Sequence, residues 1–249
     1  AACAWQVAWR TGRCRMNIKH HPTDQTLMDY ASGTLSQAME LLVATHMTVC
    51  PQCRDKVNGF ETMGGAALET TNSMAMADHS LDHVMAMLER ETANENIVTQ
   101  ELPSLRRVAV GESITGSAMS ALPRPLADLL PDDVMSLEDI PWKTLAPGVK
   151  HFQLKSIESK GTVRLMKIAP GVSIPDHGHH GHEMTLLIKG SYIDEIGRFR
   201  AGDVADLDDD VDHQPIADTA EECICLIATD APMKFNRLLP KLLQPFFGI

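Results

Sequence analysis

Between residues 20 and 90 the apolar positions recur at helical spacing, and beyond residue 126 they fall into short alternating or continuous runs. The spacing predicts a short helix over about 23–32, with Leu27, Met28 and Ala31 apolar and Gly33 just past its end. Thr34 and Gln37 stand three apart, as in a capping box for a second helix. On that helix Leu35, Ala38, Met39, Leu42, Val43 and His46 sit at offsets of 0, 3, 4, 7, 8 and 11, one stripe that Cys50 extends by a turn. Pro51 breaks this helix or opens the next, which carries Val57 and Phe60 before Gly64-Gly65. A fourth helix, over about 78–90, places Leu81, Val84, Met85 and Leu88 on one face. Helices this short are unstable alone, so they must pack together or on a partner.

From about residue 91 to 125 the periodicity fades among Asn, Ser, Thr, Gly and Pro, and 117–125 reads as a linker. Strands are then expected over 149–154, 162–168, 183–188, 192–195, 203–207 and 223–228. Ala169-Pro170-Gly171, Lys189-Gly190 and Ala201-Gly202-Asp203 supply the turns. Short strands so spaced suggest an antiparallel barrel or jelly roll. The expected fold is α+β and multidomain: a small all-α bundle over 16–91, a linker over 92–125 and an all-β barrel over 126–249, with the apolar tail from Phe235 packing back on it. Residues 1–15 lack an initiating Met and do not match the rest of the chain, whereas Met16 opens a conventional polar start. They are read as a mis-set or carried-over extension.

Composition narrows the choice of partner. Twenty-two basic against 33 acidic residues give a net charge of -11, which argues against nucleic acid or an anionic membrane as the bound surface. An acidic chain suits a basic protein partner, such as one that itself binds DNA. Aromatic residues are few and Met is abundant, which suits adaptable helix contacts. Six cysteines are too few and too unevenly spaced for a disulfide scaffold, and neither a membrane span nor a signal peptide is visible. The expected compartment is a reducing cytoplasm.

Two constellations carry metal chemistry. The first is His46-x3-Cys50-x2-Cys53. A separation of four stacks His46 and Cys50 on a helix, and the turn at Pro51 lets Cys53 fold back, giving two thiolates and an imidazole for zinc. His20 or His21, just before the first helix, is placed to be the fourth ligand. A core histidine beside inert thiols, or a dithiol switch, would not explain three ligand types ending one stripe at zinc spacing.

The second lies between Gly171 and Gly190, where four histidines and Glu183 fall within seven residues. In an extended segment His177, His179 and Glu183 share a face, while His180 and His182 point the other way as supporting or solvent-facing groups. His213, after the acidic run from Asp208 to Asp212, is the candidate fourth ligand, and Asp212 is its rival. Cys223 and Cys225 share a strand face and read as core residues; His79, His83 and His151 read as structural or surface groups.

These residues also carry two resemblances. Gly171-x5-His177-x-His179-x3-Glu183-x6-Gly190 matches the first cupin motif at every fixed position, although the Pro-x-Gly expected before His213 is missing. His46-x3-Cys50-x2-Cys53 resembles the signature of zinc-containing anti-sigma domains. Both occur in this order in the ChrR family of anti-sigma factors, which the chain resembles from Met16 to Ile249. Further matches are Met16 to His21, Ala44-Thr45-His46, Pro175 to His179, Cys223 to Leu226, Ala228 to Pro232 and Gln244 to Phe247.

The resemblance implies a non-enzymatic regulator whose helical domain holds zinc through His21, His46, Cys50 and Cys53. That domain would block an extracytoplasmic-function sigma factor. The cupin would hold a second zinc through His177, His179, Glu183 and His213 and serve the response to singlet oxygen or related oxidants. The competing reading is a cupin metalloenzyme, dioxygenase- or isomerase-like, acting on a small molecule.

Overall fold

The structure is a computed structural model that describes residues 16–93, 122–154, 161–179, 181–208, 211–230 and 233–235. The expected extension at 1–15, most of the linker, His180 and the whole tail beyond Phe235 lie outside the described residues. The chain divides into two compact units, Ala1–Gly65 together with Met119–Ile249, and Ala66–Ala118.

Helix α1 spans Asp24–Ser32. Thr23 caps its start, its hydroxyl accepting from Thr26 N, and Gly33 ends it at φ 69°, a left-handed conformation that favours glycine. Gly33 N donates to Tyr30 O and Thr34 N to Asp29 O, the pattern of a Schellman motif. Thr34 is thereby engaged in closing α1, its hydroxyl also reaching Asp29 O at 3.2 Å. The expected capping box does not form: α2, Gln37–Met47, starts from Ser36 with no side-chain cap. Pro51 opens α3, Pro51–Glu69, which runs through Gly64-Gly65 instead of stopping there. Two further helices are α4, Ser80–Ala93, and α5, Arg124–Ala127.

The strands are β1 Lys143–Ala146, β2 Val149–Gln153, β3 Thr162–Ile168, β4 His177–His179, β5 Glu183–Lys189, β6 Ser191–Ile193, β7 Arg198–Arg200, β8 Val204–Leu207, β9 Ile216–Ala217, β10 Cys223–Thr229 and β11 Met233–Phe235. All six expected strands are present within a residue or two. Those not anticipated (β1, β4, β7, β9 and β11) are two to four residues long, too short to display a period of two.

Six strands form an antiparallel sheet in the order β1-β2-β3-β10-β5-β8, beside a three-stranded sheet β7-β6-β9 and a pair β11-β4. One face of the large sheet, including Met166, Leu187, Cys225 and Ile227, packs with Tyr192, Phe199 and Ala217 of the small sheet. The other face, including Leu165, Leu186 and Leu226, shares a core with Leu27, Met39, Leu42 and Val43 of α1 and α2. A sheet covered on both sides explains why β10 and β5 up to Ile188 are buried without alternation, Glu183 and Thr185 included. It also joins the first helices to the barrel more intimately than a linker-separated arrangement suggests.

Candidate metal centres

The helical centre gathers His21, His46, Cys50 and Cys53, whose ligand atoms all lie within 4.8 Å of one another. Burial of the Ala38, Met39, Leu42, Val43 stripe carries His46 inward on the last turn of α2. Cys50 is not on that helix, which ends at Met47, although Cys50 N still donates to His46 O at 3.1 Å. It instead immediately precedes α3, where its Sγ meets Cys53 N at 3.5 Å. The expected stacking of His46 on Cys50 along one helix is replaced by a turn that brings two helix ends together.

The distances suit a tetrahedral ion. His46 Nε2 stands 3.3 Å from Cys53 Sγ, and His21 Nδ1 stands 3.4 Å from both sulfurs. Zinc bonded to nitrogen and sulfur at ordinary lengths separates them by about 3.6 Å. The Cys50 thiol is held down to about 3 by the Cys53 thiol that donates to it, with help from His46 and against the effect of burial. Cys53 is pushed up for the converse reasons, its donation to Cys50 and its burial.

Between the two histidines that precede α1, geometry selects His21. His20 turns to Asp203, Nδ1 to Oδ2 at 3.2 Å, and its ring lies 4.4 Å from that of Phe199. Asp203 also accepts from Lys19 N at 2.7 Å and His20 N at 3.2 Å, so it pins the backbone leading into His21. His46 donates Nδ1–H to the carbonyl of Gly202 at 3.0 Å, which leaves Nε2 for a metal.

The second centre gathers His177, Glu183 and His213, all buried. His177 and His213 face each other across an antiparallel bridge, exchanging N–H to O bonds of 3.2 and 2.9 Å. His177 donates Nδ1–H to Pro175 O at 2.9 Å. His213 donates Nδ1–H to Asp194 Oδ2 at 3.0 Å. Both rings thus present Nε2 inward. His179 lies two residues along β4 from His177 and shares its parity; its side chain is outside the described residues.

Burial pushes the Glu183 carboxyl up to about 7 and the His177 imidazole down to about 4, so the metal-free pocket favours neutral groups. A divalent cation would reverse that preference for Glu183. Three or four N and O donors converging in a buried site suit zinc, iron or manganese, and each donor present fits such an ion.

Asp212, the rival of His213, is not in the cluster; its carboxylate lies over Gly178, where any side chain would collide with it. His182 is half-buried and bonds Asp206 of β8, as a supporting group. Cys223 and Cys225 are buried free thiols in the core between the sheets, as expected. Sequence reading missed Asp194, Asp203 and Asp206. Asp203 closes a recognisable turn, but no spacing links these carboxylates to their histidines.

The ChrR Cupin-like domain family matches residues 131–232. The anti-sigma-E factor ChrR of Cereibacter sphaeroides is 41% identical over 234 residues, spanning 94% of this chain and all of that protein. The chain belongs to the ChrR family. A crystal structure of Rhodobacter sphaeroides SigE in complex with the anti-sigma ChrR superposes with a TM-score of 0.66, at 36% identity, covering 86% of this chain and 100% of that one. The two centres of this ChrR-family chain sit in its described helical region and its cupin.

Proposed function

We propose that this chain is an anti-sigma factor. Its helical part, residues 16–91, sequesters an extracytoplasmic-function sigma factor in the cytoplasm and releases it under oxidative stress of the singlet-oxygen type. The cupin, residues 126–249, registers that stress through a bound metal. Kinship to an anti-sigma factor over nearly the whole chain carries this reading. The four-donor helical cluster and the acidic net charge, suited to a basic partner surface, agree with it.

The metal we assign to His21, His46, Cys50 and Cys53 is zinc, and we assign a second zinc to His177, His179, Glu183 and His213. Bound zinc supplies a closed cross-link in the first site and a localised positive charge in the second. The chain's own residues do the rest. Gly202 O and Asp194 orient His46 and His213, and Asp203 holds the approach to His21. On α4, Leu81, Val84, Met85 and Leu88 are all exposed and offer an apolar face for a sigma factor.

The test is co-purification of the full chain with an extracytoplasmic-function sigma factor, metal counting, and sigma-dependent transcription in vitro. Capture of sigma, two zinc ions per chain and loss of transcription are expected. Metal-dependent turnover of a small molecule with no effect on transcription would overturn the reading in favour of a cupin metalloenzyme.

A further inference from the structure

The two metal centres are joined by one short piece of chain, the turn at Gly202-Asp203 and strand β8 directly after it. At its first end the turn holds the His46 imidazole of the helical centre and the backbone that leads into His21. Gly202 O accepts from His46 Nδ1 at 3.0 Å. Asp203, which is buried, accepts from Lys19 N and His20 N and from the His20 ring, while Val204 N donates to His20 O at 3.0 Å. The segment that delivers His21 is thus bonded to the start of β8.

At its other end β8 holds the cupin metal loop and the start of α1 on one carboxylate. Asp206 Oδ2 accepts from Thr23 N and from Thr26 Oγ1, both at 2.8 Å. Its Oδ1 accepts from His182 Nε2, the neighbour of the ligand Glu183. Strand pairing sets Glu183 opposite Leu207 and Met184 opposite Asp206. Asp206 therefore ties the loop that presents Glu183 to the cap of the helix just after His21, and its side chain is almost fully buried.

We infer that β8 couples the two centres, with His182 and Asp206 as the positioning pair that passes the state of the cupin loop to α1 and the helical centre. Emptying the cupin shifts the loop at His182, the shared carboxylate moves with it, and the hold on Thr23, Thr26 and the chain at His21 changes in turn. The direction of travel is reciprocal, as any coupling free energy must be. This inference rests on the metal assignment proposed above but not on the identity of the protein partner.

The experiment is a double-mutant cycle on the purified, zinc-loaded full chain. Alkylation of Cys50 and Cys53 by N-ethylmaleimide is monitored by mass spectrometry in four proteins: wild type, His177→Ala, Asp206→Asn and the double variant. Asn keeps the size of Asp206 and can still accept from Thr23 and Thr26; His182→Leu, which spares those contacts altogether, replaces it if Asp206→Asn fails to fold. Loss of the cupin metal should change the alkylation rate by about fivefold or more in the wild-type background and leave it nearly unchanged beside either loop variant. An equal change in both backgrounds, or no change in the wild type, overturns the coupling. Because no sigma factor is present, that failure is distinct from failure to capture sigma, which would overturn the proposed function instead.

Discussion

His213 donates its Nδ1–H to Asp194 at 3.0 Å, and the two side chains are 2% and 0% exposed. Burial alone would raise the Asp194 pKa, but the bonds from His213 and from the Gly197 and Ile196 amides outweigh it and hold the carboxyl below its usual range. A carboxylate kept charged in a buried site fixes the tautomer of the imidazole it faces. Asp194→Ala should therefore weaken cupin metal binding by about 10–100-fold, with Asp194→Asn intermediate. Competition against a chelator measures this, and unchanged affinity in Asp194→Ala would remove the orienting role.

Replacing Cys50 and Cys53 together by Ala takes away both soft donors of the helical centre. The expected product holds one metal ion fewer per chain and no longer captures sigma, giving constitutive sigma-dependent transcription. A double variant that still inhibits would show that the helical metal is dispensable.

His177→Ala removes a cupin donor on the far side of the sheet from the core of α1 and α2. Inhibition in unstressed cells should persist and the response to singlet oxygen should be blunted. Reporter expression before and after photosensitisation distinguishes the two effects; a normal response would take the sensory role away from this metal.

The His182–Asp206 pair sets a pH window for stability. Burial would raise Asp206, but the bonds from His182, Thr23 and Thr26 hold its pKa below the ordinary 3.8, so its contribution is present above 3.8 and lost as pH falls through the lower, folded value. His182 is raised above 6.5, first by its bond to Asp206, with smaller help from the charges of Asp206, Asp230 and Asp208 and against burial. Its contribution is full below 6.5 and is lost as pH rises through the higher, folded value. The stability gap between wild type and Asp206→Asn, about 1–3 kcal/mol at its largest, should thus peak between those limits. Thermal melts across the acid and neutral range check it; a gap that does not vary with pH would show that the pair is not ionic.

Leu42 lies in the core that α2 shares with Leu165, Leu186 and Leu226. Leu42→Ala should cost about 2–5 kcal/mol and lower the opening free energy of amides in α2 and β10 by a similar amount. Hydrogen exchange that changes in α2 alone would mean that the helices and the sheet open independently.

The first metal cluster was legible because local periodicity and burial agree: the stripe that buries Leu42 also buries His46, and Pro51 can only start a helix or end one. His177 and Glu183 do meet, but not through the parity of one extended segment: His177 lies on β4 and Glu183 on β5, in different sheets, and the chain between them turns. Thr34 misled for the same local reason. Its pattern suits a cap, but the Schellman turn at Gly33 offered its hydroxyl a closer carbonyl, and α2 began later.

Residue order alone marked His46, Cys50 and Cys53 as a candidate donor group, and it set the helix-to-strand division and the longer strands, since each depends on local spacing. The choice of His21 over His20, the tautomers set by Gly202 O and Asp194, and the place of Asp206 between two centres were decided only by folding. Those contacts join residues up to 184 positions apart, as Lys19 and Asp203 are. Such a pairing is selected by which sheet face a helix covers, a three-dimensional fact that no periodicity along the chain records.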